Sequence, residues 1–431
     1  MSTTVAATCA GNPKSRKSRI LTVDLFRGGV IAAMIIANNT GSDVGLPWWM
    51  GHNQAGHLGG MFTWVDMVWP AFLWITGVSI PFAMSRRIER GVPTWKLLGH
   101  VAWRGVMLVW IGTLLDSWAG YRWDLMPISQ GWFYLLGFIA LIGAFARWDM
   151  SRYSSSDKVY WAIWCYRVLS VLYLVWLSFV VRYGRGDVNT TMLTYKPWSP
   201  EWRLPPSVIA SFGWAFLWMA PLWLLTRRSL AARVGLLGLS ALAIQYRLEG
   251  GWLHQVAPVQ FFATSPFHTW GFLVLTGTIV GDLLWQLHRE QRSVAEVRRW
   301  LLLFAAALFV AVPLAMPEWS WKHMRSNNLL RYAPMYAGIF ITLFWLFWEF
   351  TRRRPLPLLQ TPLLALGKNA LLAYFIDLPV LGIQRIAGIH IRELYLGDAT
   401  GWIVMIDPLM WLVVFTLSVM WFNRRKLFLR M

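Results

Sequence analysis

Residues 24–39, DLFRGGVIAAMIIANN, and residues 63–82, TWVDMVWPAFLWITGVSIPF, decide what kind of protein this is. Each is a run of apolar residues of about the length that crosses a bilayer core, roughly 20 residues as a helix. Yet they hold or border Asp24, Arg27, Asn38, Asn39 and Asp66, and the link between them, GHNQAGHLGGM, contains His52 and His57. A charge at the bilayer centre costs about 2.5–3.5 kcal/mol even on the lenient insertion scale. A chain that keeps this many polar groups in two spanning segments uses them, so function is sought here.

The rest of the chain fits a membrane protein. Of 431 residues, 57% are hydrophobic and only 14% charged, and the mean hydropathy is +0.45. Soluble domains carry about 25% charged residues. The 31 Trp and 24 Phe suit aromatic belts at two interfaces. Residues 1–19 are polar and basic with no apolar core, which reads as a disordered cytoplasmic tail and not as a cleavable leader. Residues 20–431 read as one transmembrane domain. The two cysteines, Cys9 and Cys165, build no disulfide framework.

Hydropathy predicts an all-α polytopic helical bundle of about twelve spans, near 20–38, 66–84, 97–115, 127–147, 160–181, 206–226, 230–246, 268–286, 297–315, 330–350, 362–384 and 402–422. The seventh is the weakest, which leaves eleven as the other count. With the N-terminus in the cytoplasm, inside segments hold 25 Lys and Arg and outside loops 11, and every inside segment holds at least three. The positive-inside rule then places both termini in the cytoplasm and His57 on the far side. The net charge of +20 follows from this loop bias and from attraction to anionic lipid. No nucleic-acid partner is expected. Arg27, Arg104, Arg167 and Lys368 remain within spans; Arg104 and Arg167 have the reach to snorkel to the cytoplasmic interface.

Each polar group has a plain reading and a chemical one. Asp24 and Arg27, three apart on one helix face, form a structural ion pair, or Asp24 orients an Arg27 that forks onto a phosphate. Asn38 and Asn39 cap a helix end, or their amides hold an oxyanion. His57 is a loop histidine, or a general base or nucleophile, with His52 as its competitor. Asp66 caps the second helix, or orients an imidazole. Lys368 and Asn369, in LGKNALLAYF, open the eleventh span at its cytoplasmic end, where Lys368 can snorkel. His268 starts the eighth span on the outer side. The histidines lack ligand spacing, so no metal is expected.

DLFRG running into Asn, a loop His, then TWVDMVWPAFLWITGVSIPF, together with LGKNALLAYF, resembles the heparan-alpha-glucosaminide N-acetyltransferase family and its bacterial relatives, multi-pass membrane acyltransferases. Motif matches cover about residues 20–84 and 362–376. The resemblance implies a membrane-bound acyltransferase, acetyl-CoA dependent, that takes an acetyl or other acyl group from cytoplasmic acyl-CoA to an amino-sugar or saccharide acceptor outside. It implies His57 as the catalytic residue with Asn38 assisting, and the reading of the residues adds Asp66 to orient the imidazole. The donor's phosphates are then expected near Arg27 and Lys368, with Asp24 and Asn369 beside them, and the acceptor near Asn39 and His268. The interval from His57 to Asp66 is one residue shorter than the family's His-Ala-x-Trp-x-Gly-x-Thr-x-x-Asp and lacks its Trp. The expected setting is a bacterial inner membrane, with lipid as a partner and a homodimer left open. The rival reading is a secondary transporter or saccharide flippase, which would consume no thioester.

Overall fold

The computed structural model describes residues 21–40, 45–50, 63–116, 120–148, 154, 156–184, 190–191, 207–248, 269–289, 291–315, 329–353, 357–397 and 399–429. The chain is a bundle of α-helices. They are α1 (Leu21–Asn39), α2 (Trp64–Glu89), α3 (Thr94–Leu115), α4 (Gln130–Phe145), α5 (Lys158–Val180), α6 (Val208–Thr226), α7 (Leu230–Leu248) and α8 (Thr269–His288). There follow α9 (Val294–Ala315), α10 (Leu329–Arg353), α11 (Pro357–Lys368), α12 (Ala370–Phe375), α13 (Leu378–Ala387), α14 (Ile391–Leu396) and α15 (Ile406–Arg424). Eight of the described helical segments are long and apolar enough to cross a membrane. The described residues include one small strand ladder, β1 (Arg182–Tyr183) antiparallel to β2 (Thr190–Thr191).

Lipid supplies little hydrophobic drive between helices, so association depends on close packing at small residues. The closest approaches are at glycines. A Cβ on Gly28 of α1 would lie 1.9 Å from the Leu363 carbonyl oxygen of α11, and one on Gly367 the same distance from the Asp24 carbonyl oxygen. On α2 and α8, Gly77 and Gly277 approach the Val274 and Trp74 carbonyl oxygens, each 2.2 Å from where a Cβ would lie. These contacts pin α1 to α11 and α2 to α8, and the polar groups of α1 and α2 are positioned through them. Phe26, Trp74 and Phe344 fill the space between α1, α2 and α10, with ring centroids 5.4–5.8 Å apart.

Every expected span meets a helix, but the eleventh differs from the single helix expected over 362–384. It is three pieces, α11, α12 and α13. The first break falls at Asn369, whose φ of −123° and ψ of 48° leave the helical region. The second falls at 376–377, ahead of Pro379 in the first turn of α13, where a missing N–H costs nothing. A broken helix within a bilayer must find other partners for its freed polar groups. Here Asn369 is 1% exposed. Its Nδ2 donates to Asn423 Oδ1 at 3.1 Å and to the Leu427 carbonyl at 2.9 Å, and its Oδ1 accepts from the Leu429 N–H at 3.1 Å. The segment after α15 also joins α4, since the Arg147 N–H donates to the Phe428 carbonyl at 2.9 Å.

Candidate functional site

Two groups of polar side chains face each other along the broken helix. The first lies at the arginine-rich end of the bundle. Arg27 projects from α1, where burial of Asp24 (3% exposed) one turn earlier supplies a carboxylate. Arg27 Nη1 donates to Asp24 Oδ1 at 3.4 Å and to the Gly367 carbonyl at 3.3 Å, and Nη2 donates to Ser79 Oγ on α2. One guanidinium therefore ties α1, α2 and the end of α11. The Asp24–Arg27 pair expected from the three-residue spacing is present.

Two more arginines stand close by. Arg104 on α3 lies near enough to Arg27 and Arg87 for mutual repulsion, and His100 feels both Arg87 and Arg104. The Arg104 guanidinium lies 5.2 Å from the centroid of the Phe216 ring on α6. Among the described residues Arg104 has no carboxylate partner. Three positive charges thus converge where one buried carboxylate answers them. Lys368 is exposed at the same end. Arg104 was expected to reach for the interface; its neighbours make it part of this cluster. Asn369 differs too: its amide is committed to the C-terminal segment, so it joins elements and offers little to a ligand.

The second group lies at the far end of the same helix. Asp116, just past the end of α3, accepts from Tyr374 OH at 2.9 Å, from Ser207 Oγ at 3.0 Å and from the Ile209 N–H at 3.3 Å. Burial pushes its carboxyl up to about 6 against the lowering effect of those hydrogen bonds, Tyr374's first. Asp377, at the start of α13, is near enough to Asp116 and Tyr374 to interact electrostatically with both. Tyr134 of α4 also feels Asp377 and takes a side-chain hydrogen bond with Gln130. Among the described residues, neither carboxylate has a basic partner within ion-pair distance. Sequence reasoning missed this group, because Asp116 and Tyr374 stand 258 residues apart. Arg104 lies on α3 and Asp116 just past its end, twelve residues on, so the two groups are separated by about 18 Å along α3.

Of the remaining candidates, Asn38, Asn39 and Asp66 lie at the far end. Thr63 caps α2: its hydroxyl accepts from the Asp66 N–H at 3.4 Å and donates to Asp66 Oδ2 at 2.9 Å. Asp66 is half-buried. Trp69, one turn on, donates to Ser211 Oγ of α6 at 3.1 Å, which puts the start of α2 beside the same end of α6 that meets Asp116. Asn38 is exposed, and Asn39 folds back with Nδ2 donating to the Ile35 carbonyl at 2.8 Å. His52, His57 and His268 lie outside the described residues.

Residues 19–123 match a family model described as a domain of unknown function, DUF5009. The heparan-alpha-glucosaminide N-acetyltransferase of Mus musculus is 35% identical over 106 residues, 24% of this chain and 15% of that protein. Its Homo sapiens counterpart is 28% identical over 206 residues, 45% of this chain and 29% of that protein. The chain thus matches less than a third of the length of these relatives. The matched family region contains Asp24, Arg27, Asn38, Asp66, Ser79, Arg87, Arg104 and Asp116, the part of both groups that precedes the broken helix. The identity is modest: over part of its length the chain is similar to heparan-alpha-glucosaminide N-acetyltransferases, and eight of its described helical segments are long and apolar enough to cross a membrane.

Proposed function

We propose that the protein is a membrane-bound acetyltransferase that takes an acetyl group from acetyl-CoA at the arginine-rich end and delivers it to an amino sugar at the far end. The observation that carries this reading is the opposition of charge along one broken helix: Arg27, Arg87 and Arg104 at one end, Asp116 and Asp377 at the other. Guanidinium groups fork onto phosphate oxygens, and coenzyme A brings several phosphates. A protonated amine, conversely, gains from two carboxylates that lack a cation. The loop-charge bias puts the arginine-rich end at the cytoplasmic face, where acetyl-CoA is made, and a bacterial inner membrane is the setting that fits.

In this scheme Arg27 and Arg104 hold the donor's phosphates, with Arg87 and Lys368 at the entrance. Asp24 and Ser79 keep Arg27 in place. The pantetheine arm extends along α11 and α12 toward the far end. There His57 takes a proton from the acceptor nitrogen as that nitrogen attacks the thioester carbonyl. The C–N bond forms, the C–S bond breaks, and the coenzyme A sulfur leaves with the proton that His57 returns. Asn38 donates to the carbonyl oxygen as charge builds on it, and Asp66 orients the imidazole. Asp116 and Asp377 receive the acceptor's ammonium, which releases one proton to solvent, and the neutral amine so formed is the nucleophile.

The test is isothermal titration of acetyl-CoA into detergent-purified protein beside Arg104→Gln, followed by thioester hydrolysis with and without glucosamine. The reading expects saturable binding that Arg104→Gln weakens, and amine-stimulated turnover. Absence of any coenzyme A binding, with proton-coupled sugar uptake in its place, would move the assignment to a transporter.

A further inference from the structure

A groove on the flank of the bundle has no part in the scheme above. It lies between α3, α4 and α5, has a volume of about 560 Å³, and is walled by Trp103, Met107, Trp110, Phe145, Val171 and Val175. That volume is within the range of ligand-binding clefts, roughly 300–1,000 Å³. Its walls open sideways, toward the surface that lipid covers: Trp103 is 60% exposed, Val171 39% and Val175 40%. Trp110 is fixed as a wall by its Nε1–H donating to Ser178 Oγ at 2.8 Å.

One end of the groove is charged. Arg147 and Arg167 line it, and both belong to the arginine-rich end of the bundle. Arg147 is exposed, and its backbone is held by the Phe428 carbonyl, so its position does not depend on a ligand. Arg167 spends one Nη2 hydrogen bond on the Ala146 carbonyl at 3.1 Å and lies near the Trp164 ring, while its buried Nε has no partner among the described residues. A buried donor left unpaired costs about 1–3 kcal/mol. Neither arginine has a carboxylate within ion-pair distance among the described residues.

We propose that this groove is a binding site for one anionic phospholipid of the arginine-rich leaflet, with its phosphate on Arg147 and Arg167 and an acyl chain along the Trp103–Trp110 and Val171–Val175 walls. Basic pockets between helices at the cytoplasmic side are where anionic headgroups are held. From Arg167 to Val175 is eight residues, about 12 Å toward the bilayer centre, the direction an acyl chain takes. A polar occupant such as free phosphate would leave those walls against nothing.

Native mass spectrometry of the detergent-solubilised full chain, titrated with phosphatidylglycerol and with phosphatidylcholine, tests the site. Wild type is expected to bind one phosphatidylglycerol preferentially. The pair Arg147→Gln and Arg167→Gln should lose about tenfold in that binding. Val171→Trp keeps both charges and fills the groove; it should reduce binding as well, and it serves if the arginine pair fails to fold. A control pair elsewhere at the same end, Arg227→Gln and Arg228→Gln, should leave binding within twofold of wild type. Equal binding of the two lipids, undiminished binding by Val171→Trp, or an equal loss in the control pair would overturn the groove as the site.

Discussion

The two ends of the broken helix are built in opposite ways. At the arginine-rich end the charges are crowded, and Arg27, paired with Asp24, is also a joint between three helices. At the far end Asp116 is bound by two hydroxyls and a backbone N–H, and among the described residues no cation pairs with it or with Asp377. A structural ion pair would bring opposite charges together. Apart from the Asp24–Arg27 pair, this molecule gathers arginines at one end and keeps Asp116 and Asp377 at the other, about 18 Å away along α3, which is what a site for ligands of opposite charge requires.

The comparison breaks most completely at His57. His57→Ala is expected to lower acetyl transfer by 10²–10⁴-fold, the usual worth of a general base, with acetyl-CoA affinity unchanged; steady-state kinetics and titration check the two halves. The two arginines should then separate. Arg104→Gln should weaken acetyl-CoA binding about tenfold with little change in thermal stability, since among the described residues its charge meets the Phe216 ring and the field of Arg27 and Arg87. Arg27→Gln should lose both binding and stability, because Ser79 and the Gly367 carbonyl lose their donor. Equal stability losses in the two variants would mean that the cluster is structural.

Sharpening the far end requires the acceptor. Asp116→Asn should raise the KM for glucosamine several-fold and leave acetyl-CoA binding untouched. Because burial holds the Asp116 carboxyl at about 6, its negative charge is lost as pH falls through that value. The wild-type KM should therefore climb below about pH 6, and Asp116→Asn should flatten that climb. The smallest expected effect is at the joint itself. Asn369→Ala removes hydrogen bonds to Asn423, Leu427 and Leu429, worth about 1 kcal/mol each, and should lower the melting temperature with acetyl-CoA affinity within a few-fold of wild type.

The helices were legible in the sequence because the bilayer sets their length: about 20 apolar residues, bounded by Arg, Lys and polar loops. The Asp24–Arg27 pair was legible as well, since three-residue spacing on a helix is local geometry. The break at Asn369 was not. LGKNALLAYF has no proline or glycine at the break, and what stabilises it is the C-terminal segment some 54 to 60 residues on. Nor was Arg104: a lone arginine two turns into a helix reads as snorkelling until α6 is seen to place Phe216 beneath it. Asp116 and Asp377 drew no notice for the same reason, as each is a single acid at a helix end until Tyr374 brings them together. Local chemistry was readable, and contacts between distant spans were not.

The central claim is that the charge-opposed ends form one path across the membrane. Proteoliposomes that present only the arginine-rich end to the lumen can be loaded with acetyl-CoA, with glucosamine supplied outside. The account predicts N-acetylglucosamine formation on the outside and free coenzyme A in the lumen, lost in both Arg104→Gln at limiting donor and His57→Ala. Product that forms only when donor and acceptor share one compartment, or that persists undiminished in His57→Ala, would contradict it.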